Sequence, residues 1–306
     1  MNIGSRTLVV ATVAGALAMT TAAHADANSL IDYFGPRAIA VGDAMRADAK
    51  GASSIALNPA GLSLTRELVL EAHYGLRPDD SANSVNASVC DSTTPVAGCI
   101  YYRFFSASPE LGDTDEFDRR AHEVGFSASR ALSQRLMFGL TTKYFDYNSD
   151  LVNEEDSSGV AWDAGITFLA SSKFSVGVAG YNLVTTEESA QYPRGVGSGI
   201  TLRPATQLAV SIDGLWNLDL PEGQSIGRYG GGAEYFFVSG DRQSGFPIRL
   251  GAVHDRALEG TYVTGGLGYR TDRVGVDIGV RQQVDGGEQF MGLVSLRLFS
   301  PSGALR

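Results

Sequence analysis

Ten ionic side chains fall on one face of successive alternating runs: Glu123, Lys143, Asp163, Asp213, Glu234, Arg249, Arg270, Asp277, Arg281 and Arg297. Val276-Asp277-Ile278 shows the pattern, with an acid between two branched apolar residues. In an extended chain neighbouring side chains point to opposite faces, so these ions share their face with glycine, serine and threonine. A lysine or arginine turned to hydrocarbon costs about 2–4 kcal/mol at mid-depth. The ionic face must therefore meet water or other ions. Five acids and five bases suit a cross-strand charge network, and such networks more often brace an interior than mark a substrate path.

Other residues able to do chemistry are sparse. The histidines after residue 25 are His73, His122 and His254. His122 precedes Glu123, but neighbours on a strand cannot form a dyad. No nucleophile motif appears, so the chain reads as a non-enzyme with no cofactor. Cys90 and Cys99 flank the turn Asp91–Pro95 roughly symmetrically. In an oxidising compartment they favour a disulfide; the alternative is two free thiols acting as small apolar residues. Two thiols with no histidine nearby are too few for a metal.

The elements that carry these residues are strands. Alternation predicts fourteen, at 67–76, 82–91, 97–106, 119–131, 134–147, 158–169, 172–184, 193–203, 205–216, 226–238, 245–254, 260–270, 273–283 and 288–299. Their apolar face includes Val124, Phe126, Phe138, Ile166, Val176, Ile212, Leu250, Leu267, Ile278 and Val294. Tyr144, Trp216, Tyr235, Phe237 and Tyr269 lie near strand ends on that face, where aromatic girdles would form. A soluble sandwich would bury this face. A transmembrane antiparallel β-barrel turns it outward. Connection lengths favour the barrel: longer acidic stretches at 106–118, 148–157, 185–193 and 217–224 alternate with tight turns such as Leu132-Ser133 and Thr271-Asp272. The turn holding the cysteines and that at 239–244 fit least well. The last strand puts Leu296 and Leu298 outward and Phe299 inward, so it lacks an outward terminal aromatic.

The N-terminus reads as a secretory signal over residues 1–25, with Arg6, an apolar core from Leu8 to Met19, and Ala23-His24-Ala25 before Asp26. Residues 26–66 are rich in Ala and Gly and carry no sustained alternation. Ala49–Leu57 predicts one or two helical turns, broken at Asn58-Pro59. Residues 67–299 form the barrel, and 300–306 a periplasmic tail. A net charge of −10 excludes nucleic acid as a partner.

The stretch from Phe34 to Leu64 resembles the N-terminal hatch of the FadL/TodX family of outer-membrane transport proteins and of related PorV-like barrels. The resemblance rests on Gly35-Pro36-Arg37-Ala38, Val41-Gly42-Asp43-Ala44, the Ala/Ser-rich segment before Asn58, and Asn58-Pro59-Ala60-Gly61-Leu62. It implies that residues 26–66 plug the barrel and that Asn58, Pro59, Ala60 and Gly61 shape the turn from hatch to wall. It also implies passive passage of hydrophobic or amphipathic small molecules through a hatch-gated lumen in the outer membrane of a Gram-negative cell. Some members open sideways through a strand kink. The alternative is a structural or export-accessory barrel that binds a protein partner. The expected surroundings are outer-membrane lipid and lipopolysaccharide, with a hydrophobic small molecule as ligand. Acidic loops and a charged lumen suit a long alkyl chain poorly, which leaves a small amphipathic ligand, or none, in contention.

Overall fold

The computed structural model of the 306-residue chain describes residues 35–111, 115–151, 154–219, 227–240, 244–256 and 258–301. The expected signal, the first residues of the expected hatch and the end of the expected tail lie outside the described residues. The strands are β1 (Glu67–Arg77), β2 (Ala82–Asp91), β3 (Val96–Ala107), β4 (Arg119–Ala131), β5 (Leu136–Ser149), β6 (Ser157–Leu169), β7 (Phe174–Thr185), β8 (Gly195–Ala205), β9 (Leu208–Asn217), β10 (Gly227–Val238), β11 (Ser244–Asp255), β12 (Gly260–Thr271), β13 (Val274–Asp285) and β14 (Phe290–Pro301). Each pairs antiparallel with its sequence neighbours, and β14 returns to β1 through Glu67↔Pro301 to Leu76↔Gly292, closing a fourteen-stranded barrel. Closure leaves no strand edge unpaired, the condition for strands to cross hydrocarbon. Among the described residues no helix is long and apolar enough to do so.

The two faces separate sharply. Ile278 is 52% exposed and its neighbour Asp277 1%. Val124, Phe126, Ile212, Leu250, Leu267 and Leu296 are likewise exposed, whereas Glu123, Asp163, Arg249 and Arg281 are buried. Exposed in water, apolar area costs roughly 25 cal/mol per Å²; a lipid phase removes that cost. Aromatic side chains gather on the outer face towards both rims. Trp216 and Tyr229 meet edge to face near one rim, Tyr235 and Phe237 near the other. Phe299 faces inward beneath Arg270 and Arg297, as alternation requires.

The rim where β1 starts and β14 ends is here the lower one. Its turns at 132–135, 206–207 and 272–273 are tight. The upper rim carries the stretches at 108–118, 150–156, 186–194 and 218–226, the first of which holds a small hairpin pairing Glu110–Leu111 with Asp115–Glu116. The asymmetry has exceptions: the upper connections at 78–81, 256–259 and 286–289 are short as well.

Residues 35–64 lie within this cylinder. They form helix α1 (Pro36–Ala40), helix α2 (Ala52–Leu57) and a 3₁₀ turn at Pro59–Leu64. The sequence pattern indicated only the second. Pro36 at the first turn of α1 supplies a preset φ and a missing N–H where no partner is needed. The segment runs around the inner wall on a seat of glycines. A Cβ at Gly177 of β7 would strike the Arg46 carbonyl oxygen, and one at Gly139 of β5 would strike the Pro59–Ala60 peptide. Absent side chains let backbone meet backbone there.

Candidate functional site

Asn58 is the hub of the inner segment. Fully buried, it donates from Nδ2 to the Arg46 carbonyl (2.8 Å), the Ile166 carbonyl (3.1 Å) and Thr167 Oγ1 (3.1 Å), and its Oδ1 accepts from the Ala60 N–H (3.1 Å). One amide thus caps the 3₁₀ turn, ties it to the preceding chain and fastens both to β6. Pro59 sets the direction of the turn, Pro59 and Ala60 rest on Gly139, and Gly61 lies so close to the Ala49 carbonyl that no Cβ fits. Ser63 and Ser129 of β4 share a hydrogen bond of 2.8 Å.

Ion pairs do the rest. Arg37 makes two bonds of 2.9 Å to Glu234. Arg249 bonds Glu234 and Asp277, each at 2.6 Å, and Arg297 bonds the other oxygen of Asp277. Asp48 faces Lys50 (3.0 Å), Arg203 and Arg37 (3.7 Å). Burial alone would push the Asp48 carboxyl up, yet Lys50, Arg37 and Arg203 together hold it below the ordinary carboxylate value. On β9, Asp213 accepts from the Arg46 backbone N–H (2.8 Å) and from its guanidinium (3.2 Å), while Arg46 Nε donates to Tyr181 Oη (2.8 Å). Arg281 stacks on Tyr262 and lies 3.9 Å from Asp43. Arg270 reaches Glu67 at the lower rim.

The ten ions named from the sequence thus share the lumen but not one site. Glu234, Arg249, Asp277 and Arg297 form one chain, Lys143 pairs with Asp163, and Asp213 serves Arg46. Of the ions that anchor the segment, Arg37 and Asp43 stand in the sequence only as members of the hatch-like motifs and Arg46 and Asp48 carry no mark, because no periodicity runs through residues 35–64. His122 points outward to Tyr102 Oη (2.8 Å) and His254 outward to Thr261, while His73 is buried inside. Cys90 and Cys99 are cross-strand partners joined by a disulfide.

Two cavities lie on either side of the segment. The lower, of about 790 Å³, is lined by ions that include Arg37, Asp48, Glu71, Glu234, Arg270 and Arg297. The upper, of about 670 Å³ with the solvent it opens to, has Ile55 and Ala56 beneath it, and Tyr101, Arg103, Tyr181 and Tyr192 among its walls. Tyr192 comes from the upper connection 186–194 and stacks on Phe145 at 4.2 Å. Beside this cavity the wall is interrupted. The β6–β7 register shifts between Trp162 and Ala164, and Asn182 takes φ 51°, a left-handed conformation that Asn tolerates. Its N–H donates to Asp163 Oδ1 (2.7 Å), whose carboxylate also holds Lys143 (2.8 and 3.0 Å), and its Nδ2 donates to the Pro193 carbonyl (2.8 Å). The β7–β8 ladder stops at Tyr181↔Gly195. The sequence carried one sign of this: Leu183-Val184 puts two apolar residues in succession after Asn182, and both are exposed.

The closed fourteen-stranded barrel is a fold found among solved hydrocarbon channels. Three solved structures share it. The toluene transporter TbuX of Ralstonia pickettii superposes with TM-score 0.64 at 13% identity, over 88% of this chain and 98% of that one. The CymD monoaromatic hydrocarbon channel gives 0.63 at 16% identity over 86% and 98%. The Pseudomonas putida toluene transporter TodX gives 0.62 at 12% over 86% and 96%. At these identities the likeness is one of fold. No protein-family model and no curated sequence matches the chain.

Proposed function

We propose that this chain is a FadL/TodX-type outer-membrane channel that admits small hydrophobic or amphipathic molecules passively, with residues 35–64 as its hatch. The observation that carries this reading is the position of the upper cavity: it lies under the longer connections, directly above the segment that would have to move. The upper rim then faces outward and the lower rim the periplasm. A molecule enters the cavity from outside, or leaves it sideways past the interrupted ladder at Asn182, and the seat of glycines allows the segment to lift without disturbing the wall.

Apolar solutes cross plain phospholipid unaided, so the test needs a lipopolysaccharide barrier. In outer-membrane vesicles, the intact chain should speed uptake of a labelled monoaromatic without steady ion conductance, and deletion of residues 35–64 should create such conductance. Uptake no faster than in vesicles lacking the chain, together with recovery of a stoichiometric protein partner, would establish the partner-binding barrel instead.

A further inference from the structure

The upper cavity contains three cations, and two are fully engaged. Lys143 is held by both oxygens of Asp163, and Arg194 Nε donates to Asp219 at 2.8 Å. Arg103 differs. Among the described residues its nearest acid is Glu123, at 3.7 Å, beyond hydrogen-bond length. Glu123 is already occupied, accepting the Tyr101 hydroxyl at 2.7 Å on the same Oε1 that faces Arg103. The Arg103 side chain is only 13% exposed, and its Nε has no hydrogen-bond partner among the described residues. A guanidinium carries five donors in a planar fork matched to a carboxylate, and leaving such donors unmet away from bulk water is costly. A second polar group in the same cavity also lacks its complement: Asn182, 3% exposed, spends its Nδ2 on Pro193 while its Oδ1 accepts nothing.

The remaining lining specifies the body of a ligand. Tyr101, Tyr181 and Tyr192 offer ring faces and edges, which favour a flat aromatic partner. The aliphatic contribution is small, from Ile55, Ala56 and Leu215, too little to sheathe an extended alkyl tail. Resting on the channel reading above, we propose that the upper cavity binds a single-ring aromatic carboxylate, with Arg103 receiving the carboxylate and Asn182 Oδ1 accepting from a ring hydroxyl where one is present. The acid and its parent hydrocarbon differ here by one charge-assisted, bidentate contact, so Arg103 sets the discrimination between them.

Both tryptophans lie on the outer face, Trp216 against Tyr229 and Trp162 exposed, so binding is read by calorimetry. In isothermal titration, the full chain in detergent micelles should show saturable heats with benzoate, and tighter binding with a hydroxybenzoate. Arg103→Gln should weaken benzoate at least tenfold while changing toluene binding less than twofold. Arg103→Lys, which keeps the charge and loses the fork, should fall between. Glu123→Gln removes the competing carboxylate and should tighten benzoate severalfold, a gain that misfolding cannot imitate. Toluene binding without benzoate binding, or benzoate binding indifferent to Arg103, overturns this assignment and leaves the channel standing. Absence of binding by either probe, with no vesicle uptake, overturns both.

Discussion

Both cavities hold ionic side chains, and those ions are wired differently. Around the lower one, Arg37, Glu234, Arg249, Asp277 and Arg297 form a continuous bonded chain, and Asp48 is shared by three cations. Around the upper one, aromatic rings alternate with ions, and Arg103 and Asn182 keep unused capacity. A bonded network fixes a geometry; an unfilled one awaits a partner. The same alternation of charge thus braces one end of the lumen and, under the proposed function, leaves recognition to the other.

The contrast breaks most visibly at Arg249. Arg249→Ala leaves Glu234 and Asp277 buried with half their partners, and loss of one member of such a network costs about 3–5 kcal/mol. Thermal unfolding in detergent should show a correspondingly lower midpoint, with the upper cavity's ligand affinity little changed at temperatures where the barrel survives. Asn58→Ala comes next. Four hydrogen bonds vanish, each contributing about 0.5–1.5 kcal/mol, and all of them hold residues 35–64. The barrel should remain folded while planar-bilayer recordings show frequent openings; a silent variant would mean that the ionic chain alone suffices as a latch.

A smaller effect is expected from acid. The Asp48 carboxyl is held below its ordinary value, so its contribution to docking the segment is complete above the unfolded value near pH 4. That contribution fades as pH falls through the lower folded value. Conductance should therefore rise on acidification, and Asp48→Asn should remove that response while raising the basal signal. The smallest effect belongs to the rim: Arg194 and Asp219 are substantially exposed, so Asp219→Ala should change stability by less than about 1 kcal/mol. A larger loss in a denaturant titration would place that pair among the groups that hold the upper cavity together.

Much of this arrangement could be seen in the sequence, for a physical reason. Period-2 alternation is a local signal, so Val276-Asp277-Ile278 declares both faces of β13 without knowledge of any partner. The same holds for Leu296 and Phe299, whose opposite orientations follow from spacing alone. What could not be seen is the pairing. Arg46 meets Asp213 and Arg37 meets Glu234 across more than 160 residues, and nothing in a short window records such distances. Helix α1 was missed because five residues are too few to show a period. Arg103 was passed over because its significance lies in bonds it does not make, which only the surroundings can reveal.

The seat beneath the inner segment is made of missing atoms, and this sets the direction in which it can fail. Elsewhere in a protein a contact surface can be trimmed or enlarged by substitution. At Gly139 and Gly177 every possible exchange adds volume against the segment's main chain, and at Gly165 against the Asn58 amide and the Pro59 ring. Drift at these sites has a single sense, towards eviction of the segment, and a variant carrying several such exchanges should behave as a permanently leaking pore.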